Sequence, residues 1–240
     1  MNTPNPQELS CIIPAYNEDE DVKKIIRSLL ESRHVKEVIL VDDYSEDEYA
    51  QIYRSIEGIT LIRHEKNQGK SQAVLTGILA STGNYILVLD ADLLWLSAHH
   101  IEHLMNEMAQ YEIFCLTRGA DSNFGKFIGS TYITRGEHLF TRTFFNQYRS
   151  QLFDGTRWGF DNNINSVLFT NPVKFRVCEL IGVDHKTKEE KYNFFVGTWL
   201  DMKMFYEVVI KKYKIWGWVT NYYKLYPHIK NRLRISGERV

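Results

Sequence analysis

Short apolar runs alternate with helix-spaced amphipathic segments through the first half of the chain, and three of the runs stop in polar or acidic clusters. Leu9 to Ile13 is strand-length, halted by Pro14 and followed by Tyr16-Asn17-Glu18. Glu37 to Val41 ends in Asp42 and Asp43, and Tyr85 to Leu89 ends in Asp90-Ala91-Asp92. Thr60 to Arg63 and Ile113 to Leu116 read as further strands. Between them Val22, Ile25, Ile26, Leu29 and Leu30 recur at helical spacing. Ala73, Val74, Gly77 and Ile78 mark Lys70 to Ala80 as a helix, and Ile101, Leu104, Met105 and Met108 mark another. Asn17 with Glu20 three residues on reads as a capping box for the first helix. This alternation specifies βαβ units and the α/β class, a mostly parallel central sheet flanked by helices. Runs apolar throughout fit strands buried on both faces. Such sheets bind ligands beyond the carboxyl ends of their strands, which is where the polar clusters fall.

The second half is less regular. Residues 118 to 135 carry Gly and Ser and read as a long loop; Gly136 to Asn146 and Trp158 to Phe169 read as helices, and Phe175 to Leu180 as a strand. Gly197 to Lys212 reads as a broad apolar helix. With no repeat and no low-complexity linker, residues 1–240 are expected to form one domain. It divides into a ligand-binding half over 9–118, an acceptor half over 119–212 and a C-terminal segment over 213–240 with helices. From Lys211 onward eight Lys or Arg stand against one Glu, with Trp216, Trp218, Tyr222, Tyr223 and Tyr226 interleaved. That composition fits peripheral contact with an anionic bilayer, or packing on the domain or on a second copy in a homodimer.

A formal net charge of −1 excludes the basic excess of a dedicated nucleic-acid binder. Three cysteines make no disulfide framework and fit a reducing, cytoplasmic compartment. The first ten residues lack the basic start and apolar core of a signal peptide. No apolar run approaches the roughly 18 residues of a membrane span.

Two Asp-x-Asp pairs offer the hard oxygen ligands that Mg²⁺ and Mn²⁺ prefer. Asp19 and Asp21 open a helix, where carboxylates oppose the macrodipole. Asp90 and Asp92 instead follow a buried strand at its ligand-binding end, and are the candidate metal pair. His99, Glu102 and His103 spell H-x-x-E-H, a zinc-hydrolase pattern. On a helix they fall opposite Ile101, Leu104 and Met105, on the face that meets water.

The ordered set C-I-I-P-A-Y-N-E, V-I-L-V-D-D-Y-S-E-D and N-Q-G-K-S-Q-A through L-V-L-D-A-D-L resembles glycosyltransferase family 2, and within it the dolichyl-phosphate mannose synthase-like enzymes. The likeness covers residues 9 to about 118 and implies the GT-A fold. It also implies that Pro14, Ala15, Tyr16 and Glu18 line a nucleotide pocket and that Asp42 reads the base or ribose. Asn67, Gly69 and Lys70 match an N-x-G-K element, and Asp90, Ala91 and Asp92 match the metal-and-diphosphate motif. Arg118 sits where the family often has an arginine. The run G-V-D-H-K-T-K-E-E-K resembles a basic segment that folds over the diphosphate; His185, Lys188 and Lys191 are its candidates, His185 also as a metal ligand. The mannose synthase-like enzymes more often show an arginine followed by G-x-S-K there, which leaves sugar and acceptor open.

The resemblance implies metal-dependent transfer of a sugar from a UDP- or GDP-linked donor, with inversion, to a lipid phosphate or a glycan hydroxyl. Asp161, in W-G-F-D-N-N, is the candidate general base in the acceptor half; it also opens a helix, so a cap is the alternative. A nucleotide-binding protein of the same fold without transferase activity is the competing reading.

Overall fold

The computed structural model describes residues 7–118, 136–154, 157, 159–185, 220, 223–224 and 226–237. Ten strands and six α-helices lie within them. The strands are β1 (Leu9–Ala15), β2 (Val35–Asp42), β3 (Thr60–Arg63), β4 (Tyr85–Val88), β5 (Leu93–Leu94), β6 (Ile113–Arg118), β7 (His138–Thr141), β8 (Phe175–Ile181), β9 (Asp184–His185) and β10 (Leu233–Ser236). The helices are α1 (Asp21–Leu30), α2 (Asp47–Arg54), α3 (Lys70–Ala80), α4 (Ala98–Glu107), α5 (Arg142–Leu152) and α6 (Phe160–Thr170).

Eight strands form one sheet in the order β10-β8-β6-β7-β4-β1-β2-β3. Every pairing is parallel except those of β7, which runs antiparallel to both β4 and β6. Alternate residues feed two cores. Leu9, Cys11 and Ile13 of β1 and Val38 and Leu40 of β2 face α1, α2 and α4. Ile12, Ile39 and Val41 face α3, α5 and α6. Gly77 lets α3 lie directly on β1: a Cβ there would stand 2.4 Å from Ile12 Cγ2.

Several expectations change at this level. β1 runs through Pro14 to Ala15, with Pro14 in register with Val41. No capping box forms at Asn17, which is left-handed at φ 53°; its Oδ1 accepts the Glu46 N–H at 2.9 Å instead, and α1 starts at Asp21 behind Glu20. The capping box lies at α4, between Ser97 and His100. The helix expected over Gly136 to Asn146 is first a strand. His138, Leu139 and Phe140 are buried between β4 and β6, a position a helix cannot fill, and α5 starts only at Arg142. The C-terminal segment supplies an edge strand, β10, where Arg232 and Arg234 both reach Glu179 on β8, at 2.7 and 3.3 Å. The expected helix over 197–212 and the loop over 119–135 lie outside the described residues. Among the described residues no helix is long and apolar enough to cross a membrane.

Candidate active site

The carboxyl ends of β1, β2 and β4 are neighbours, so the three polar clusters meet at one edge of the sheet. Ala15 is buried and Pro14 half-buried, while Tyr16 is exposed. The Asn17 N–H donates to Ser45 Oγ at 3.0 Å and the Glu18 N–H to the Tyr53 hydroxyl at 2.7 Å, which ties the loop after β1 to the one after β2. Asp42 and Asp43 are both buried. Asp42 Oδ1 accepts the Ser45 N–H at 2.8 Å and Oδ2 accepts from the Arg63 guanidinium at 2.5 Å. Asp43 accepts the N–H groups of Gln68 and Gly69 at 2.8 and 2.7 Å and the Nδ1 proton of His64 at 2.8 Å. One buried carboxylate thus sets the whole N-x-G-K turn.

That turn needs glycine. Gly69 has φ 94°, and a Cβ there would stand 2.8 Å from Arg157 Cβ. Asn67 Oδ1 accepts from the Arg157 guanidinium. The Ser71 N–H donates to the Arg157 carbonyl at 3.0 Å, and Ser71 Oγ accepts the Phe160 N–H at 3.1 Å. The first turns of α3 and α6 are thereby locked together, although 91 residues separate Lys70 from Asp161.

The result is a mostly buried charge cluster. Lys70 Nζ lies 2.6 Å from Asp90 Oδ1 and 3.3 Å from Asp161 Oδ2. Asp161 is the second residue of α6 behind an N-cap glycine, Gly159, and its side chain makes no cap bond. Its Oδ1 is buried without a hydrogen-bond partner among the described residues and faces His138 Nε2 at 3.8 Å. Burial raises the Asp161 pKa to about 6; Lys70 opposes this and Asp90 adds to it. Burial works against the Lys70 ammonium, but Asp161 and then Asp90 outweigh it and hold its pKa above the ordinary lysine value. Gly136 leaves the space for this pair, since a Cβ there would fall 2.0 Å from Lys70 Nζ and 2.9 Å from both Asp90 carboxylate oxygens. Gly136, Glu137 and His138 were not among the sequence candidates; no local pattern marks them, and only strand β7 brings them here.

Ala91 is buried behind the Asp-x-Asp turn. Just past Asp92, β5 pairs antiparallel with β9, so Leu93 lies opposite His185. The ribbon carries the candidate imidazole to the end of the sheet where Asp92 sits. Among the described residues no three His, Cys, Asp or Glu side chains form a ready-made ligand set. A carboxylate and an imidazole with open positions suit Mg²⁺ or Mn²⁺, which keep several sites for phosphate and water. Arg118 is the last residue of β6, at the same sheet end. Lys188 and Lys191 lie outside the described residues. His99 and Glu102 are 3.8 Å apart on the half-exposed side of α4, away from buried Ile101, Leu104 and Met105.

Comparison with known proteins agrees with this geometry. The pattern of Glycosyl transferase family 2 matches residues 10–169. The chain is similar to a dolichyl-phosphate beta-glucosyltransferase of Dictyostelium discoideum, 36% identical over 99 residues, 35% of this chain and 30% of the relative. It is similar also to the 4,4'-diaponeurosporenoate glycosyltransferase of Staphylococcus aureus, 32% identical over 108 residues, 43% of this chain and 28% of the relative. The matched stretch therefore spans under a third of either relative's length. Among solved structures, glucosyl-3-phosphoglycerate synthase from Mycobacterium tuberculosis, with Mn²⁺, UDP and phosphoglyceric acid, superposes at TM-score 0.62. It shares 14% identity and covers 90% of this chain and 78% of that one. A mannosyltransferase from Pyrobaculum calidifontis with GDP-Man and Mn²⁺ superposes at 0.56 with 17% identity, over 72% of this chain and 55% of that one. The fold is GT-A, and with well over half its length matching the family pattern the chain belongs to glycosyl transferase family 2.

Proposed function

We propose that the chain transfers a sugar, with inversion, from a nucleoside-diphosphate donor to an acceptor hydroxyl, with Asp161 as general base. The observation that carries this is Lys70, whose ammonium joins Asp90 of the donor half to Asp161 of the acceptor half at 2.6 and 3.3 Å. Of the expected ligands Asp90, Asp92 and His185, Asp90 pairs with Lys70 at 2.6 Å, so Asp92 and His185 are the residues that would hold Mg²⁺ or Mn²⁺, and such an ion would neutralise charge growing on the leaving diphosphate. The solved neighbours that hold Mn²⁺ together with UDP or GDP-Man support that choice of ion and donor class.

The chain's own residues divide the remaining work. Pro14, Ala15, Tyr16 and Glu18 form the nucleotide wall, with Asp42 behind it. Asp43 fixes the Asn67–Lys70 turn, which delivers a cation beside the diphosphate motif. Arg118, Lys188 and Lys191 are assigned to the diphosphate from family likeness. Asp161 Oδ2 leans on Lys70, and the carboxylate takes the acceptor's proton. A carboxylate with a pKa near 6 is ionised at neutral pH yet more basic than an ordinary aspartate, as a general base requires.

Asp161→Asn tests this directly. With a hydroxyl acceptor, turnover falls roughly 10²–10⁴-fold while donor affinity holds. A lipid-phosphate acceptor is the second reading, favoured by the dolichyl-phosphate relative; it needs no deprotonation, so the same change then costs far less. Under that reading the C-terminal aromatic and basic residues would contact the membrane. The described part of them, with Tyr223 and Tyr226 exposed, leads into the start of β10, and the His228 ring lies tilted against Phe175 at the start of β8. A bilayer docked there lies at the amino ends of the strands, across the sheet from Asp161, which counts for the hydroxyl reading.

A further inference from the structure

Three non-glycine residues after strand ends on the ligand side are left-handed: Asn17 after β1, Tyr44 after β2 and Trp95 after β5. Asn tolerates this conformation, but for a bulky side chain it is strained, while glycine adopts it freely. Tyr44 has φ 70° and its ring is about half exposed, at 51%, so the strain is not offset by burial of the ring. What the backbone does there is present an aromatic face at the end of β2. Ala15 and Asp42 are in register, so exposed Tyr16 leaves the neighbouring strand at the same level.

The polar groups beside the ring are arranged in an unexpected order. The Asp42 carboxylate is 1% exposed and both its oxygens are engaged, by the Ser45 N–H and by Arg63. Arg63 is the group that reaches outward. Its guanidinium lies 5.7 Å from the Tyr44 ring centroid, donates to Asp42 and to the Ser45 carbonyl at 2.8 Å, and keeps part of its surface in solvent. A guanidinium has five N–H donors, so two such bonds leave others to offer.

We propose that Tyr44 is the stacking platform for the donor's nucleobase and Arg63 its hydrogen-bonding edge, with Asp42 a positioning residue that holds both instead of meeting the base itself. The inference rests on the nucleoside-diphosphate-sugar reading above. An aromatic face stacks on any base. Guanidinium donors match the carbonyl oxygens of uracil or the O6 and N7 acceptors of guanine. Strain at Tyr44 is then the cost of holding the ring where the base arrives.

Tyr44→Gly gives the test, because stability and binding move separately. Uridine diphosphate, guanosine diphosphate and inorganic pyrophosphate are titrated in the presence of Mn²⁺ by calorimetry, and melting is followed in parallel. The melting temperature stays the same or rises, since glycine accepts φ 70°. The nucleotide that binds the unsubstituted chain binds Tyr44→Gly about 10-fold more weakly, and pyrophosphate binds as before. Tyr44→Phe, which keeps the ring, stays within about 2-fold. Arg63→Lys keeps a charge opposite Asp42 but loses the planar fork, and it too weakens the nucleotide and spares pyrophosphate. Unchanged nucleotide affinity in Tyr44→Gly overturns the platform, as does a marked fall in its melting temperature, which would make the ring a packing element. If neither nucleotide binds the unsubstituted chain, the donor reading fails and takes this inference with it, an outcome distinct from the other two.

Discussion

Replacing Lys70 by methionine removes a cation that pairs with both Asp90 and Asp161 while keeping most of the side-chain volume. The three side chains are only 17, 26 and 15% exposed, so the two carboxylates left behind cannot recover full hydration. Removing one partner of a buried ion pair costs about 3–5 kcal/mol, and the residual exposure here places Lys70→Met near 3 kcal/mol. For a chain of this size that is about 6–12 °C in melting temperature. Asp161→Asn costs less, because Lys70 keeps Asp90 at 2.6 Å. In the Asp161→Asn background one of the two carboxylates that Lys70 neutralises is already gone. The double variant should therefore be more stable than the sum of the single losses implies, by about 1–2 kcal/mol. Lys70 also holds the Asp161 pKa down, so its removal moves the acid limb of the turnover profile upward from about pH 6. Urea denaturation of the four proteins measures the coupling. Strict additivity, or a Lys70→Met variant that melts with the unsubstituted chain, would refute the view that this cluster is a buried, mutually dependent unit.

Asp92→Asn should keep the fold and lose most activity, while Asp21→Asn, whose carboxylate pairs with exposed Lys24 in the first turn of α1, should retain it; donor turnover on both variants checks the choice of pair. His100 is neutral in the fold, with Nε2 donating to the Ile181 carbonyl and Nδ1 facing Ser97, and burial lowers its pKa below the usual 6.5. The unfolded chain then binds the proton more readily, so stability falls as pH drops through 6.5. Asp161 acts in the opposite sense over about pH 4–6, because its raised pKa makes the fold less stable as pH rises through that window. Melting curves of His100→Asn against the unsubstituted chain isolate the first effect as a flatter acid side.

The legible parts of this molecule were those written in local pattern. β1, β4 and the Val38–Val41 stretch of β2 are short, mostly apolar runs, and the stripes of α1, α3 and α4 pack as their spacing requires. β7 was misread because a strand paired along both edges with β4 and β6, and with Leu139 in one core and Phe140 in the other, carries no alternation, and Glu137 and His138 look like a polar helix start. β10 was hidden because Arg232 and Arg234 belong to a cationic run that points to a bilayer or a packing surface and not to a strand, whereas both reach Glu179 on β8. In the site, Lys70, Asp90 and Asp161 were each marked by type and position. Their meeting was not, since it depends on the Arg157 and Ser71 bonds that lock α6 against α3. Asp43 looked like a companion of Asp42, yet it is the one that shapes the Asn67–Lys70 turn.

Release of nucleoside diphosphate from a panel of UDP- and GDP-linked sugars, with Mn²⁺ and a set of hydroxyl and lipid-phosphate acceptors, is the most direct test of sugar transfer by this chain. At least one donor should turn over, omitting Mn²⁺ or introducing Asp92→Asn should abolish release, and Asp161→Asn should suppress it while leaving donor affinity in place. Donor binding without any turnover across the panel would contradict sugar transfer and make the chain a nucleotide-binding member of the family.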